Sequence, residues 1–436
     1  MPGYAEPGIA PATFSTADIY VGRKDRLVGP VLSYSLLLLF FFLLYSQLPL
    51  LIPALQGLRL VYAVGGAAIV AVLVEKMLSH GGWELVWPES YLLLGLLAAA
   101  AISCFGALWP RYAVDNTLDL AKAVALSLVL LSSVNSTRRL RVLIWFMVLG
   151  GLFPALGTLR NYFQGNLMEG GRAGWVGIFA NPNELAYSLV LLVPLAISLA
   201  AGVPRWVVVL LGGIIATYIA AIYVSFSRGG MIGLLAVLAV IGLRGRSIPV
   251  RVLMILLLAA SLAFIAQGWS RDEGFTQLGT DANFRERLAT MQAGFAMFAD
   301  HPISGVGLGC SVIAWPLYAP PDVHARRWLV IHNTFLQSLS ETGIVGFLCF
   351  TLLLGAALHD AREITRRGPE SGSGDSAQLA DGLGKSLWGF VVCGLSGGFI
   401  LSWFPYILVG AVSSLKKITK ESSPGAPAGQ PRGLYD

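Results

Sequence analysis

Apolar runs recur along almost the whole chain, from about residue 28 to residue 415, and short polar segments separate them. A helix needs about 20 apolar residues to cross a hydrocarbon core about 30 Å thick. The runs predict helices at about 29–48, 58–75, 91–109, 115–134, 140–160, 184–201, 205–224, 229–243, 249–268, 332–358, 386–401 and 403–416. The last two could form one bent helix. The pattern therefore predicts an all-α polytopic membrane protein with about 12 transmembrane helices.

The composition supports a lipid environment. Hydrophobic residues make up 56% of the chain and charged residues only 12%, whereas soluble domains carry about 25% charged residues. Most of the surface must therefore contact membrane lipids. The net charge of +6 would favour nucleic acid as a partner of a soluble protein. Here the basic residues cluster at helix ends, which is a topology signal, and we expect no nucleic-acid partner.

The basic residues also predict an orientation. Arg23, Lys24 and Arg26 precede the first apolar run, and most other Arg and Lys residues fall in alternate connecting segments. The positive-inside rule then predicts that both termini lie on the cytoplasmic side of the membrane. The predicted organisation is a cytoplasmic segment 1–27, helices one to nine in 28–268, a large periplasmic loop 269–331, helices ten to twelve in 332–416 and a disordered cytoplasmic tail 417–436.

The large periplasmic loop contains its own helical pattern. The segment NFRERLATMQAGFAMFAD predicts an amphipathic helix whose apolar stripe comprises Phe284, Leu288, Met291, Phe295 and Phe298. This helix would lie on the membrane surface or on the helical bundle. Helical spacing places Arg287 at the edge of the packed face and Arg285 on the other side of the stripe. The following segment HPISGVGLG has neither the Lys-Ser/Thr pair nor the preceding strand of a nucleotide loop, so a tight turn with close backbone approach explains its glycines.

A polar strip opens the helix after this loop. Asn333, Gln337 and Glu341 recur every four residues, and His332 precedes them. Because polar groups cannot face hydrocarbon cheaply, the strip must face the protein interior or a wet cavity. We therefore place His332 at the mouth of a polar cleft. The alternative is an interfacial histidine whose ring bonds to a backbone carbonyl.

Two further segments offer candidates on the outer side. In SFSRGG, Arg228 is either a snorkelling anchor or a ligand group, and the two following glycines favour the second role because they permit close backbone approach. In FANPNELA, Asn181 as N-cap and Pro182 at the first helical position give a structural explanation, and Glu184 is a cavity-facing candidate. Asp119 and Lys122 predict a structural ion pair.

Arg228, Arg287 and His332 are all predicted on the outer side, where they suit an anionic lipid headgroup. Two or three guanidinium groups would neutralise a pyrophosphate by charge-assisted hydrogen bonds. The predicted outer segments contain no Asp-x-Asp pair or histidine cluster, and the four cysteines have no paired spacing. We therefore expect no metal ion and no cofactor.

These motifs, in this order, resemble the O-antigen ligase family, which also includes O-antigen polymerases and protein O-oligosaccharyltransferases. The resemblance covers about residues 175 to 350 and rests on GIFANPNELA, SRGG, the loop arginine before HPISGVGLG, and HN-x3-Q. Counting back from the His-Pro pair aligns Arg287 with the family's loop arginine. Met291 stands where the family usually has tryptophan, so Arg285 remains the alternate.

The resemblance implies a GT-C-type membrane glycosyltransferase. It would move a glycan from undecaprenyl pyrophosphate to the lipid A-core oligosaccharide on the periplasmic face, without metal and with inversion. Arg228 and Arg287 would hold the pyrophosphate, and His332 would be the general base. Further substrate contacts are expected from Arg285, Asn333, Gln337, Asn181 and Glu184, and from Arg172, Arg326 and Arg327, which would steer the anionic core acceptor.

Three alternatives share parts of this pattern. An O-antigen polymerase needs the same donor site, so the motifs do not separate it from a ligase. A protein oligosaccharyltransferase usually has extra periplasmic bulk after its last helices, and none is predicted here. A transporter would show internal repeats and broken helices near the membrane midplane, whereas the polar residues of this chain concentrate at the outer surface.

Overall fold

The computed structural model describes residues 31–79, 82–168, 170–243, 282–321, 328–368 and 374–421. Within these ranges the chain is helical, without a β-strand, and Met168 and Arg172 form an isolated β-bridge. The longer helices are Val31–Ser46, Leu60–Leu78, Glu89–Ser103, Pro110–Ser133, Thr137–Phe163, Pro182–Ser198, Arg205–Val224, Arg228–Leu243, Ala282–Asp300, Thr334–Arg367, Gly374–Gly394 and Trp403–Glu421. The all-α prediction is confirmed for the described part of the chain.

Among the residues that the structure describes, five helical segments are long and apolar enough to cross a membrane. They are Leu60–Leu78, Glu89–Gly106, Thr137–Phe163, Arg205–Val224 and Thr334–Arg367. Val31–Ser46, Pro182–Ser198 and Arg228–Gly242 are shorter apolar helices. Large apolar side chains such as Val209 and Met77 stand exposed on the candidate spans, as expected where the surrounding solvent is lipid.

Residues 359–385, which lie between the predicted helices 332–358 and 386–401, are largely helical. The helix Thr334–Arg367, called the long helix below, continues through the first part of this segment, and the next helix already begins at Gly374. Small residues allow the two helices to pack closely, since a Cβ on Gly384 would lie 3.3 Å from that of Ala361. The last two helices are separate rather than one bent helix, and the predicted helix 249–268 lies outside the described residues.

The helix Ala282–Asp300, called the loop helix below, divides the predicted apolar stripe between two environments. Leu288 and Phe295 are 49% and 56% exposed, which fits the predicted position on the membrane surface. Met291 packs against a buried cluster to which the loop helix contributes Ala289, Ala293 and Met297, which fits the predicted position on the bundle. The alanines allow the helix to approach its neighbours closely.

The long helix breaks at Gly343, which has φ 66 and ψ −169. The Ile344 amide donates to the carbonyl of Pro302 instead of bonding within the helix, and the Val306 amide donates to the carbonyl of Ser340, both at 2.9 Å. A Cβ at position 343 would come within 2.1 Å of the Ile303 carbonyl oxygen. Glycine is therefore required where the segment 301–310, called the glycine loop below, inserts into the helix.

An ionic cluster ties several elements together near the far end of the long helix. Lys416 contacts Glu89 at 3.1 Å and Asp360 at 2.5 Å. Glu84 pairs with both Lys76 and Lys417. All of these residues belong to segments predicted on the inner side. His332, which is predicted on the outer side, precedes the opposite end of the long helix. The residues predicted on the inner side and His332 therefore lie at opposite ends of this helix.

Candidate anion-binding site

A pocket of about 90 Å³ lies beside the start of the long helix. Its lining brings together side chains from the segment before Pro182–Ser198, from the loop helix and from the segment before the long helix. The lining residues are Arg172, Asn183, Glu286, Arg287, Thr290, Leu329 and His332. The structure thus gathers two arginines and one histidine that are far apart in sequence.

Arg287 is held by a backbone carbonyl from a distant turn. Its guanidinium donates to the carbonyl of Ser396 at 3.2 Å. The Tyr187 hydroxyl donates to the same oxygen, also at 3.2 Å. Ser396 belongs to the segment 395–399, called the serine–glycine turn below, which follows the helix Gly374–Gly394. Arg285, the alternate in the sequence comparison, is exposed and does not line the pocket.

Arg172 has a fixed position in the same pocket. It is 9% exposed, and its Nε donates to the carbonyl of Ser225 at 3.1 Å. Its terminal nitrogen donates to the Asn183 amide oxygen at 2.7 Å, and the Ser227 hydroxyl donates to that same oxygen at 2.9 Å. The acceptor-steering role of Arg172 stays a prediction, and the structure places this residue in the same pocket lining as Arg287 and His332.

His332 lines the same pocket as Arg172 and Arg287. It is half-buried, and burial together with the nearby Arg287 charge lowers its pKa to about 4. The imidazole is therefore neutral near pH 7. A neutral imidazole can accept a proton, which a histidinium cannot.

Arg228 begins the helix Arg228–Leu243 and is half-buried. It is not among the side chains that line the pocket. The preceding residue, Ser227, nevertheless contacts the pocket lining, because its hydroxyl donates a hydrogen bond to the Asn183 side chain. A Cβ on Gly229 would lie 2.3 Å from both the Tyr187 and the Ser396 hydroxyl oxygens. The SRGG segment therefore requires glycine for the close approach that its sequence indicated.

Asn333 and Gln337 have structural partners. Asn333 is the N-cap of the long helix, and its side-chain oxygen accepts from the amides of Phe335 and Leu336, each at 3.0 Å. The Gln337 amide donates to the Glu341 carboxylate at 3.3 Å. Glu341 is 1% exposed, so the polar strip faces the protein interior, which confirms one of the two expected environments.

Glu341 also holds the glycine loop. Its carboxylate accepts from the Gly309 amide at 2.9 Å and from the Ser311 hydroxyl at 2.5 Å. Gly305 has φ 67, and a Cβ there would lie 2.3 Å from the Glu341 carbonyl carbon. Close backbone approach thus explains the glycines of HPISGVGLG, as predicted. These contacts hold the glycine loop, and with it the end of the loop helix, against the long helix. The loop helix carries Arg287, and His332 lies just before the long helix.

The remaining candidates lie apart from this pocket. Asn181 is the N-cap of the helix Pro182–Ser198, and its side chain accepts from the Asn183 amide, as predicted. Glu184 lines a second, separate pocket. Arg326 and Arg327 lie outside the described residues. Within the described ranges, no group of three or more His, Cys, Asp and Glu side chains could hold a metal ion.

The residues that hold Arg287 in place could not be identified from the sequence motifs. Tyr187 and Ser396 lie in apolar surroundings and belong to no motif singled out beforehand. The paired glycines of GLSGGFI, between two apolar runs, were the available signal for a special turn on the outer side.

The fold and the pocket define a helical membrane protein with several candidate membrane spans. Its pocket is polar and charged, lined by two arginines, one glutamate and a neutral histidine. Residues 213–351 match a family model described as O-antigen ligase. This match covers about a third of the chain. It confirms the predicted resemblance to this family and supports a membrane glycosyltransferase-like activity of the ligase or polymerase type. The match includes Arg228, Arg287 and His332, whereas Arg172 and Ser396 lie outside it. A search of curated proteins found no match.

Proposed function

We propose that the protein is an O-antigen ligase of lipopolysaccharide biosynthesis. It transfers O-antigen from undecaprenyl pyrophosphate to the lipid A-core oligosaccharide at the periplasmic face of the inner membrane. In this proposal it is a GT-C-type enzyme with about 12 transmembrane helices and cytoplasmic termini. The observation that carries the proposal is the single pocket shared by Arg172, Arg287 and His332 in a chain of this family.

The donor pyrophosphate binds at the two arginines of this pocket. Guanidinium groups bind phosphate oxygens through paired, charge-assisted hydrogen bonds. Arg287 is anchored by Ser396, and Arg172 by Ser225 and Asn183. Their charges are therefore oriented before the reaction, when the leaving pyrophosphate gains negative charge. Arg228 is a third pyrophosphate ligand by family resemblance, from the segment that forms the pocket wall.

His332 acts as the general base. Its neutral imidazole takes the proton from an acceptor sugar hydroxyl as the hydroxyl oxygen attacks the anomeric carbon of the donor. The bond between that carbon and the pyrophosphate oxygen breaks, and the electron pair leaves with the pyrophosphate. Attack opposite the leaving group inverts the anomeric centre. The arginines supply the charge stabilisation that a metal ion gives in other glycosyltransferases, so we propose metal-independent transfer.

In vitro transfer with the purified protein, a lipid-linked glycan and the lipid A-core tests this proposal. The expected product is glycan attached to core, formed equally well in EDTA. His332→Ala should abolish the product while the protein still inserts and purifies. Activity of that variant at the wild-type rate, or a requirement for a divalent ion, would contradict the mechanism.

The same assay separates the alternatives. A polymerase would lengthen the lipid-linked glycan without adding it to core. A transporter would move the lipid-linked glycan across a vesicle membrane without forming a glycosidic bond. Product on the core is the outcome that distinguishes a ligase from both.

A further inference from the structure

A second pocket, of about 240 Å³, lies between the helix Pro182–Ser198, the helix Gly374–Gly394 and the segment that precedes Trp403–Glu421. It has more than twice the volume of the anion-binding pocket. Five aromatic side chains line it, together with one carboxylate; these residues are Glu184, Tyr187, Phe390, Phe399, Trp403 and Phe404. The mechanism above uses none of them.

The serine–glycine turn contacts residues that line both pockets. Tyr187 lines the second pocket and bonds to the Ser396 carbonyl, which also accepts from Arg287. Gly398 lines the second pocket as well, and a Cβ there would lie 2.5 Å from the carbonyl oxygen of Ile331, the residue before His332. A ligand of the second pocket would therefore lie next to the groups that hold the pyrophosphate and the base.

The lining identifies the chemistry of this ligand. Among the described residues, the Glu184 carboxylate has no hydrogen-bond or ion-pair partner. A hydrocarbon chain against this carboxylate would remove its hydration without replacement, which is unfavourable. A phosphate would be repelled by the charge. Hydroxyl groups would instead donate charge-assisted hydrogen bonds to it.

The aromatic side chains complete this pattern. Phe399 packs edge-on against Tyr187, with ring centroids 4.7 Å apart, and Trp403 and Phe404 supply further aromatic surface. Such surfaces contact the apolar C–H face of a sugar ring, while a carboxylate binds its hydroxyls. A neutral polyhydroxylated ring satisfies both kinds of group at once.

We propose that the second pocket binds a glycosyl residue and thereby positions one of the two substrates beside the pyrophosphate. This inference rests on the proposed function, since both substrates of that reaction carry sugars. The glycosyl residue belongs either to the donor glycan or to the acceptor oligosaccharide, and binding measurements on the purified full chain distinguish these sources.

The experiment measures binding of three probes: undecaprenyl pyrophosphate without sugar, the same lipid carrying a glycan, and the lipid A-core. Glu184→Gln keeps the size of the side chain and removes its charge, and Trp403→Ala removes one aromatic wall. Trp206→Ala is the matched aromatic control because Trp206 is exposed on another helix. We expect both pocket variants, and not the control, to weaken one sugar-bearing probe by about tenfold.

Loss restricted to the glycan-bearing lipid assigns the pocket to the donor, and loss restricted to the core assigns it to the acceptor. Unchanged binding of both sugar-bearing probes in both variants would overturn the proposal. Equal weakening of the sugar-free lipid would also overturn it, because the pocket would then hold the polyprenyl chain.

Arg287→Ala tests the pyrophosphate site separately, since it should weaken the lipid with and without sugar. If it does not, the proposed function fails whatever Glu184 does.

Discussion

The Arg287 guanidinium donates a hydrogen bond to the carbonyl of Ser396 at 3.2 Å. This contact joins the loop helix to a turn that lies more than a hundred residues later in the chain. The direction of the Arg287 charge therefore depends on the packing of the last two long helices. A site built on this contact is sensitive to changes on either side of it.

The two loop arginines provide a matched pair of variants. Arg287→Ala should lower the transfer rate by about 10²–10³-fold, because it removes a preorganised donor to the leaving group. Arg285→Ala should leave the rate within about twofold, because Arg285 is exposed and outside the pocket. Rates of core glycosylation under identical conditions measure both effects. Equal losses in the two variants would contradict the assignment of Arg287.

The pH dependence of transfer should show the environment of His332. Burial and the Arg287 charge lower its pKa to about 4 from the usual 6.5. A lowered pKa means that the imidazole stays neutral, and active as a base, until the pH falls to that value. The pH–rate profile of the wild type should therefore be flat from about pH 7 to 5 and fall near pH 4.

Arg287→Gln should move this acid limb upward, because one of the two causes of the lowered pKa is removed. The limb should stay below pH 6.5, since burial remains. A wild-type limb already at pH 6.5 would contradict the lowered pKa that burial and the Arg287 charge give to His332.

Two glycines of the long helix should respond in opposite ways to alanine. Gly343→Ala should lower the free energy of unfolding by about 1–3 kcal/mol, because position 343 has positive φ and a Cβ there meets the Ile303 carbonyl. Gly355→Ala should be neutral or stabilising by about 0.5–1 kcal/mol, because nothing lies within 4 Å of its Cβ position. Thermal unfolding in detergent compares the two. A stable Gly343→Ala protein would show that the break is not required.

The ionic cluster at the other end provides another comparison. The side chains of Lys416 and Glu89 are 12% and 0% exposed. Lys416→Met should therefore destabilise the fold by about 3–5 kcal/mol, since it leaves buried carboxylates without their cation. Lys122→Met should cost at most about 1 kcal/mol, because the Lys122–Asp119 pair is exposed. Unfolding temperatures that fall equally in both variants would contradict the buried role of Lys416.

Local patterns were readable from the sequence. The Asp119–Lys122 pair, the Asn181 cap and the inward polar strip each depend on residues a few positions apart, and the structure confirms them. Hydropathy also predicted a membrane protein, and short motifs predicted the resemblance to the O-antigen ligase family.

Long-range packing was not readable in the same way. Arg172 reaches the pocket because Ser225 and Asn183 hold its guanidinium, and no periodicity encodes that convergence. The periodic pattern of the loop helix gave its apolar stripe but not which part of the stripe would be buried. Ala289 and Ala293, which lie outside that stripe, are buried with Met297 because small residues allow close approach to the neighbouring helices.

The break at Gly343 limits how the site can open. In an unbroken helix the Ser340 carbonyl would accept from the Ile344 amide, but here Val306 occupies that carbonyl and Pro302 takes that amide. Lifting the glycine loop would break both hydrogen bonds, and the two groups could pair with each other only if Gly343 returned to helical φ and ψ. Any displacement of the glycine loop is therefore coupled to straightening of the long helix at Gly343.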